Sequence, residues 1–286
     1  MAALPKELIE EKTLVVQGYP LTYKCSGTGR SLILTHTSHA YAKHFLSTLP
    51  AGEKYQVITL DIPGYYHYGR QRKPILTIDL FVDLMADFFD QLGLEKVNLI
   101  GECLGSFIVL KFAAKYPRKT YKAIALAPPL RVFHPKVQKS VRPLIEFLAE
   151  HRLAGEIVKF LFSHPNPGVA IANYIGGYSG LKDFLKLDRY IFFKRDFDPM
   201  IFFGIIADLL RTDPEKIYEK IDSQILLISG VKDFANREKE VREVCKKIKG
   251  ATCILLPEAD HALIEKETQK FNQIVMNFLL KDSARV

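Results

Sequence analysis

No two cysteines in this chain are set close enough for a metal knuckle or a redox motif. Cys25, Cys103, Cys245 and Cys253 stand singly along 286 residues, with no C-x-x-C among them. Disulfide frameworks and zinc sites use dense or regular cysteine spacing, so all four are expected as free thiols in a reducing compartment. Long apolar runs are missing as well. The most apolar stretch, residues 201–210, is about ten residues long and is interrupted by Asp208. A membrane-spanning helix needs roughly 20 apolar residues, so no membrane insertion is expected. The opening segment, MAALPKELIEEK, is charged and has no apolar centre of the secretory kind. The expected location is cytoplasmic. Internal repeats and low-complexity tracts are absent too.

What is present is a sizeable core. Hydrophobic residues make up 48% of the chain and charged residues 25%, the balance of a globular protein. The formal net charge is +8. Its basic residues are spread along the chain in short groups, such as Lys246-Lys247-Ile248-Lys249, and no nucleic-acid motif accompanies them. A solvated basic surface with mild steering of anionic substrates is expected, and no nucleic-acid partner.

Short apolar runs alternate with amphipathic stretches, which points to an α/β protein with a largely parallel sheet. Residues 13–17 and 21–25, around Gly18-Tyr19-Pro20, read as an antiparallel hairpin. Further strands are expected over 31–35, 55–60, 96–100, 123–127, 224–229 and 252–256. Each is nearly continuous in apolar residues, as buried parallel strands are. Helices are expected over 77–92, 106–116, 238–249 and 264–280. The first of these carries a stripe of Leu80, Leu84, Phe88 and Leu92, with a cap at Thr77 and a stop at Gly93. The alternation breaks between residues 129 and 223, which are rich in Phe and Tyr and read as several helices. Residues 1–128 and 224–286 would then form the core, with 129–223 inserted as a helical lid over an apolar pocket.

The sharpest local signal is Gly101-Glu102-Cys103-Leu104-Gly105, set directly between an expected strand and an expected helix. Glycines on both sides allow a sharp turn and close approach of strand to helix. A side chain at the helix N-terminus meets partial positive charge, which favours a thiolate. Here the chain resembles the α/β hydrolases, whose strand–elbow–helix of form G-x-S-x-G carries the nucleophile. The resemblance runs from about residue 13 to residue 280 and implies an α/β-hydrolase fold: a mostly parallel central sheet flanked by helices, with a helical cap.

The family order is nucleophile, acid, histidine. Asp233 follows the strand at 224–229 and a glycine turn; His261 follows the last strand and Pro257-Glu258-Ala259-Asp260. The resemblance therefore implies a triad of Cys103, Asp233 and His261, with Asp260 as the competing acid. It also implies an oxyanion hole from two backbone N–H groups. One is that of Leu104. The other falls on Thr37 or Ser38 in the loop His36-Thr37-Ser38-His39, where Thr37 replaces the family's usual glycine. His36 and His39 lack a third ligand nearby, so no metal is expected, and no cofactor is implied. Tyr65, Tyr66, His67 and Tyr68 read mainly as packing residues near the pocket mouth.

A cysteine nucleophile narrows the substrate. The tetrahedral intermediate expels its better leaving group, so a thiolate reverts from an alkyl ester but competes evenly with a thioester or enol lactone. In this respect the chain is similar to the dienelactone hydrolases, which lack a long lid. The expected function is hydrolysis of an activated ester, lactone or thioester through acyl-Cys103. An acyltransferase or cyclase using the same intermediate is the alternative, and a non-catalytic small-molecule-binding protein is the alternative of another class. The expected partner is a small acyl substrate with an apolar portion; nothing in the sequence specifies an oligomeric state.

Overall fold

The structure is a computed structural model and describes residues 10–35, 54–60, 62–64, 74–130, 134–163, 197–233, 236–261 and 268–281. Among these, one sheet contains β1 (Glu10–Val16), β2 (Tyr19–Ser26), β3 (Arg30–Thr35), β4 (Tyr55–Leu60), β5 (Val97–Glu102), β6 (Thr120–Leu126), β7 (Gln224–Gly230) and β8 (Thr252–Leu256). Their spatial order is β1-β2-β4-β3-β5-β6-β7-β8. The pairings β1–β2 and β2–β4 are antiparallel, and every pairing from β4 to β8 is parallel. The central parallel strands are buried on both faces: every residue of β5 is buried, as is β7 from Ile225 onward.

The hairpin turn is tighter than the sequence suggests. Gln17 and Gly18 both have positive φ, 49° and 82°, the two-residue turn whose twist matches paired strands. Tyr19 and Pro20 accordingly lie inside β2, where Pro20 pairs with Val15 of β1. β4 borders β2 only from Tyr23 onward, so the proline sits where a missing N–H disrupts no second ladder.

The helices are α1 (Ile78–Gln91), α2 (Leu104–Lys115), α3 (Pro135–Glu150), α4 (Arg152–Ser163), α5 (Pro199–Arg211), α6 (Glu215–Tyr218), α7 (Glu238–Lys247) and α8 (Thr268–Leu280). In α1 the Thr77 hydroxyl accepts the Leu80 N–H at 3.2 Å, and Gly93 closes the end with a φ of 69°. Leu84 and Phe88 are buried, whereas Leu80 and Leu92 are only half-buried. The buried face is instead broadened by Ile78, Phe81, Val82, Met85 and Phe89, because α1 is covered over more than one stripe. Lys122 is fully buried in β6 and donates to the carbonyls of Phe278 at 2.8 Å and Leu279 at 3.3 Å. Its ammonium thereby satisfies acceptors left open at the C-terminus of α8.

By packing, the described residues fall into two compact units. One lies within Met1–Asp61, Val82–Arg131 and Asp213–Val286, and contains the whole sheet. The other lies within Ile62–Phe81 and Val132–Thr212. In this second unit α3 packs on α5, and Arg211 Nε meets Glu146 Oε1 at 2.6 Å. Gly155 allows α4 to approach α5 closely: a Cβ there would stand 2.8 Å from Pro199 Cβ. Asp198 caps α5 through the Met200 N–H at 3.0 Å and pairs with Arg152 at 3.0 Å. Residues 164–196, the middle of the aromatic insertion, lie outside the described residues. Among the described residues no helix is long and apolar enough to cross a membrane.

One expectation from the sequence is corrected. Cys245 on α7 and Cys253 on β8 form a disulfide, with Cα atoms 6.2 Å apart; only Cys25 and Cys103 are free. The chain reverses between α7 and β8 through Gly250, whose φ is 74°, and so lays strand beside helix. Linear spacing carries no trace of that reversal. The cysteine argument for a reducing compartment therefore falls away.

Candidate active site

β5 ends at Glu102 and α2 begins at Leu104, so a single residue makes the whole connection. Cys103 occupies it with φ 51° and ψ −115°, a conformation that side chains with a Cβ rarely adopt. The turn is held from both sides. Cys103 N–H donates to Leu126 O on β6 at 2.9 Å, and Cys103 O accepts the Ser106 N–H at 3.1 Å. A Cβ on Gly101 would lie 2.0 Å from Gly105 O, so strand and helix come together here only because residue 101 has no side chain. Thr35 at the end of β3 adds its hydroxyl to Gly105 O at 3.2 Å. The Leu104 N–H belongs to the first turn of α2, where no helical carbonyl is available to it.

A second close approach sets the other two residues. A Cβ on Gly230, at the end of β7, would lie 2.2 Å from Ala259 O. The turns after β7 and β8 are stitched together by Val231 N–H to Leu256 O and Lys232 N–H to Ala259 O, both 3.0 Å. This fixes Asp233 against His261. The imidazole Nδ1 lies 3.0 Å from Asp233 Oδ1 and 3.1 Å from Oδ2. Cys103 also lies near enough to act on the His261 proton affinity. The structure thus brings His261 and Asp233 into direct contact, with Cys103 near the imidazole. Asp260 contributes its backbone to the close approach, its carbonyl oxygen 2.8 Å from the place of a Gly230 Cβ. It is Asp233 whose carboxylate meets the imidazole.

The Asp233 side chain is fully buried, and that of His261 is 12% exposed. Burial by itself pulls the His261 proton affinity down. The charge of Cys103, hydrogen bonds to Asp233 and Cys103, and the charge of Asp233 outweigh it and hold His261 well above the ordinary histidine value of 6.5.

Asn236 was not among the residues singled out from the sequence. It is 3% exposed and donates from Nδ2 to Asp233 Oδ2 at 2.9 Å. Asp-Phe-Ala-Asn reads in sequence as an ordinary turn, and only the fold aims the amide at the carboxylate. Thr37, Ser38, His36, His39 and Tyr65–Tyr68 of the sequence reading lie outside the described residues. Among the described residues no three His, Cys, Asp or Glu side chains are grouped to hold a metal ion.

A family profile described as the alpha/beta hydrolase fold matches residues 29–149, which include the elbow. The enol-lactonase of Burkholderia xenovorans LB400 superposes with a TM-score of 0.70 at 18% identity, covering 94% of this chain and 99% of that one. The chain has the α/β-hydrolase fold. In sequence it is similar to a homoserine O-acetyltransferase of Thermus thermophilus, 41% identical over 64 residues, covering 22% of this chain and 17% of that protein. It is also similar to a 2-hydroxy-6-oxo-6-phenylhexa-2,4-dienoate hydrolase of Comamonas testosteroni, 25% identical over 176 residues, covering 55% of this chain and 58% of that protein. The alignments thus span less than two thirds of either relative.

Proposed function

We propose that this protein is an acyl-cysteine hydrolase acting on a thioester, enol lactone or similarly activated ester. The observation that carries the reading is the position of His261, held at Nδ1 by Asp233 and near enough to Cys103 to feel its charge. Cys103 Sγ, as the thiolate of a Cys103–His261 ion pair, attacks the acyl carbonyl. The oxyanion forms against the Leu104 N–H and a second N–H from Thr37 or Ser38. As the intermediate collapses, His261 Nε2 gives its proton to the departing thiol or enol, leaving acyl-Cys103. Water then attacks the acyl carbon, with His261 taking its proton, and the carboxylic acid leaves as the thiol of Cys103 is restored. Asp233 keeps the imidazole in the right tautomer and balances its charge.

Of the relatives, one is named a hydrolase and the other an acetyltransferase, and the second name supports acyl chemistry. The 41% identity over 64 residues to the acetyltransferase favours a second reading, in which an alcohol or amine replaces water in deacylation. Residues 129–223 act in either case as a lid that sets the size of the acyl group. Nothing in this scheme calls for a metal or cofactor.

The test is intact-protein mass spectrometry after mixing with short-chain acyl thioesters. An acyl adduct on Cys103 that decays with release of free acid supports the hydrolase; decay only on adding an alcohol or amine supports the transferase. Thioester turnover that persists undiminished in Cys103→Ala overturns both.

A further inference from the structure

We infer that Asn236 is a positioning residue of the active site, which holds the Asp233 carboxylate aimed at His261. The inference rests on the proposed triad. Its basis is the hydrogen-bond inventory around one buried amide. Asn236 Oδ1 accepts the Leu130 N–H at 3.0 Å, just beyond the end of β6. From the other end, Nδ2 donates to Asp233 Oδ2 at 2.9 Å and lies 3.3 Å from the Ser229 hydroxyl on β7.

The two ends make opposite demands. A backbone N–H can only donate, so the side chain that meets Leu130 must accept there. An ionised carboxylate can only accept, so the group that meets Asp233 must donate. A primary amide of this length does both and carries no charge. An aspartate would accept at both ends and face Asp233 with like charge. A leucine would fill the space and satisfy neither neighbour, at a place where Asp233, Ser229 and Asn236 are all buried.

The electrostatic consequence follows from the acceptor. Asp233 Oδ1 and Oδ2 both face His261 Nδ1, and Oδ2 also receives the amide. Hydrogen bonds to a carboxylate favour its anionic form, and the anion in turn favours the imidazolium. Asn236 is therefore placed to act on Cys103 through two intermediaries while touching neither Cys103 nor substrate. It also ties that acid to the point where the chain leaves β6.

The experiment compares Asn236→Leu and Asn236→Asp with the parent protein, using two readouts across pH 5 to 9. The first is the titration of the His261 imidazole by NMR, which needs no substrate and no assumption about the nucleophile. The second is the rate of Cys103 alkylation by iodoacetamide. In Asn236→Leu the proton affinity of His261 falls roughly tenfold, and alkylation slows at every pH where the parent holds the ion pair. Asn236→Asp keeps the volume and the acceptor for Leu130. At the acid end its protonated carboxyl donates to Asp233 as the amide does, so the variant behaves like the parent. As pH rises that proton is lost, two carboxylates face one another, and alkylation falls through an ionisation the parent lacks.

A purely structural role predicts that Asn236→Asp follows the parent at every pH, and that result overturns the inference. An unchanged His261 titration in both variants does so as well. Should Asn236→Leu not fold, Asn236→Asp alone decides the matter. If iodoacetamide labels Cys25 in the parent while the His261 titration still responds to residue 236, the nucleophile is wrong and the positioning role stands.

Discussion

At the scale of single residues, Cys103 and His261 form a coupled pair whose behaviour can be measured without a substrate. Two cysteines are locked in a disulfide, so Cys25 and Cys103 compete for an alkylating reagent. Cys103 sits at a helix N-terminus near His261, and we expect iodoacetamide near neutral pH to modify it first. Peptide mapping that finds Cys25 modified first would remove Cys103 from the chemistry. The same pair fixes a pH effect. His261 titrates well above 6.5 because Cys103 and Asp233 outweigh the opposing effect of burial. Its folded-state affinity for the proton is thus raised above that of the unfolded chain. The resulting stabilisation is fully present below about pH 6.5 and is lost as pH rises through the folded-state value. Cys103→Ala removes the largest of the raising causes, so NMR should show the His261 midpoint falling; an unmoved midpoint would mean the thiol bears no charge beside it.

At the scale of elements, the site is made by two places where backbone meets backbone. Gly230→Ala introduces a Cβ 2.2 Å from Ala259 O, which forces apart the turns that carry Asp233 and His261. We expect a loss of about 1–3 kcal/mol in stability and a fall in kcat that exceeds any change in KM. Gly250→Ala is the control. That position has open space around it and a φ of +74°, so the substitution strains the backbone by roughly 1–2 kcal/mol yet leaves the turns together. Equal losses of activity in the two variants would show that turnover follows stability alone. These elements also mark what was legible in the sequence. The elbow was, because Gly101, Cys103 and Gly105 lie within five residues and the strain they permit is local. Asp233 and His261 were, because each closely follows an apolar run that could only be a buried strand. Asn236, Lys122 and the full buried face of α1 were not. Their roles depend on what the fold sets opposite them, and an Asn in a turn or a Lys in a strand looks solvent-exposed until the neighbours are known.

For the molecule as a whole, Asp233 and His261 stand at the two ends of one excursion through α7 and β8, and the Cys245–Cys253 bridge closes its middle. A cross-link with a sequence separation of 8 restricts the unfolded chain. Loop-closure entropy for a ring of that size corresponds to about 2.5 kcal/mol at 25 °C. For a chain of this length each kcal/mol moves the midpoint of thermal unfolding by roughly 2–4 °C. The protein purified without reductant should therefore unfold about 5–10 °C higher than the Cys245→Ser/Cys253→Ser double variant. A thiol-reactive dye under denaturing, non-reducing conditions should count two thiols, those of Cys25 and Cys103, and four after reduction. The bridge links the helix that follows the acid to the strand that precedes the base, while the contacts of Gly230 and Lys232 with Ala259 hold the two turns directly. Opening it should consequently lower thermal stability without lowering the His261 midpoint. Four thiols without reductant would eliminate the bridge. Two thiols with a lowered His261 midpoint in the double variant would mean that the register of acid and base depends on the covalent link as well as on the turns.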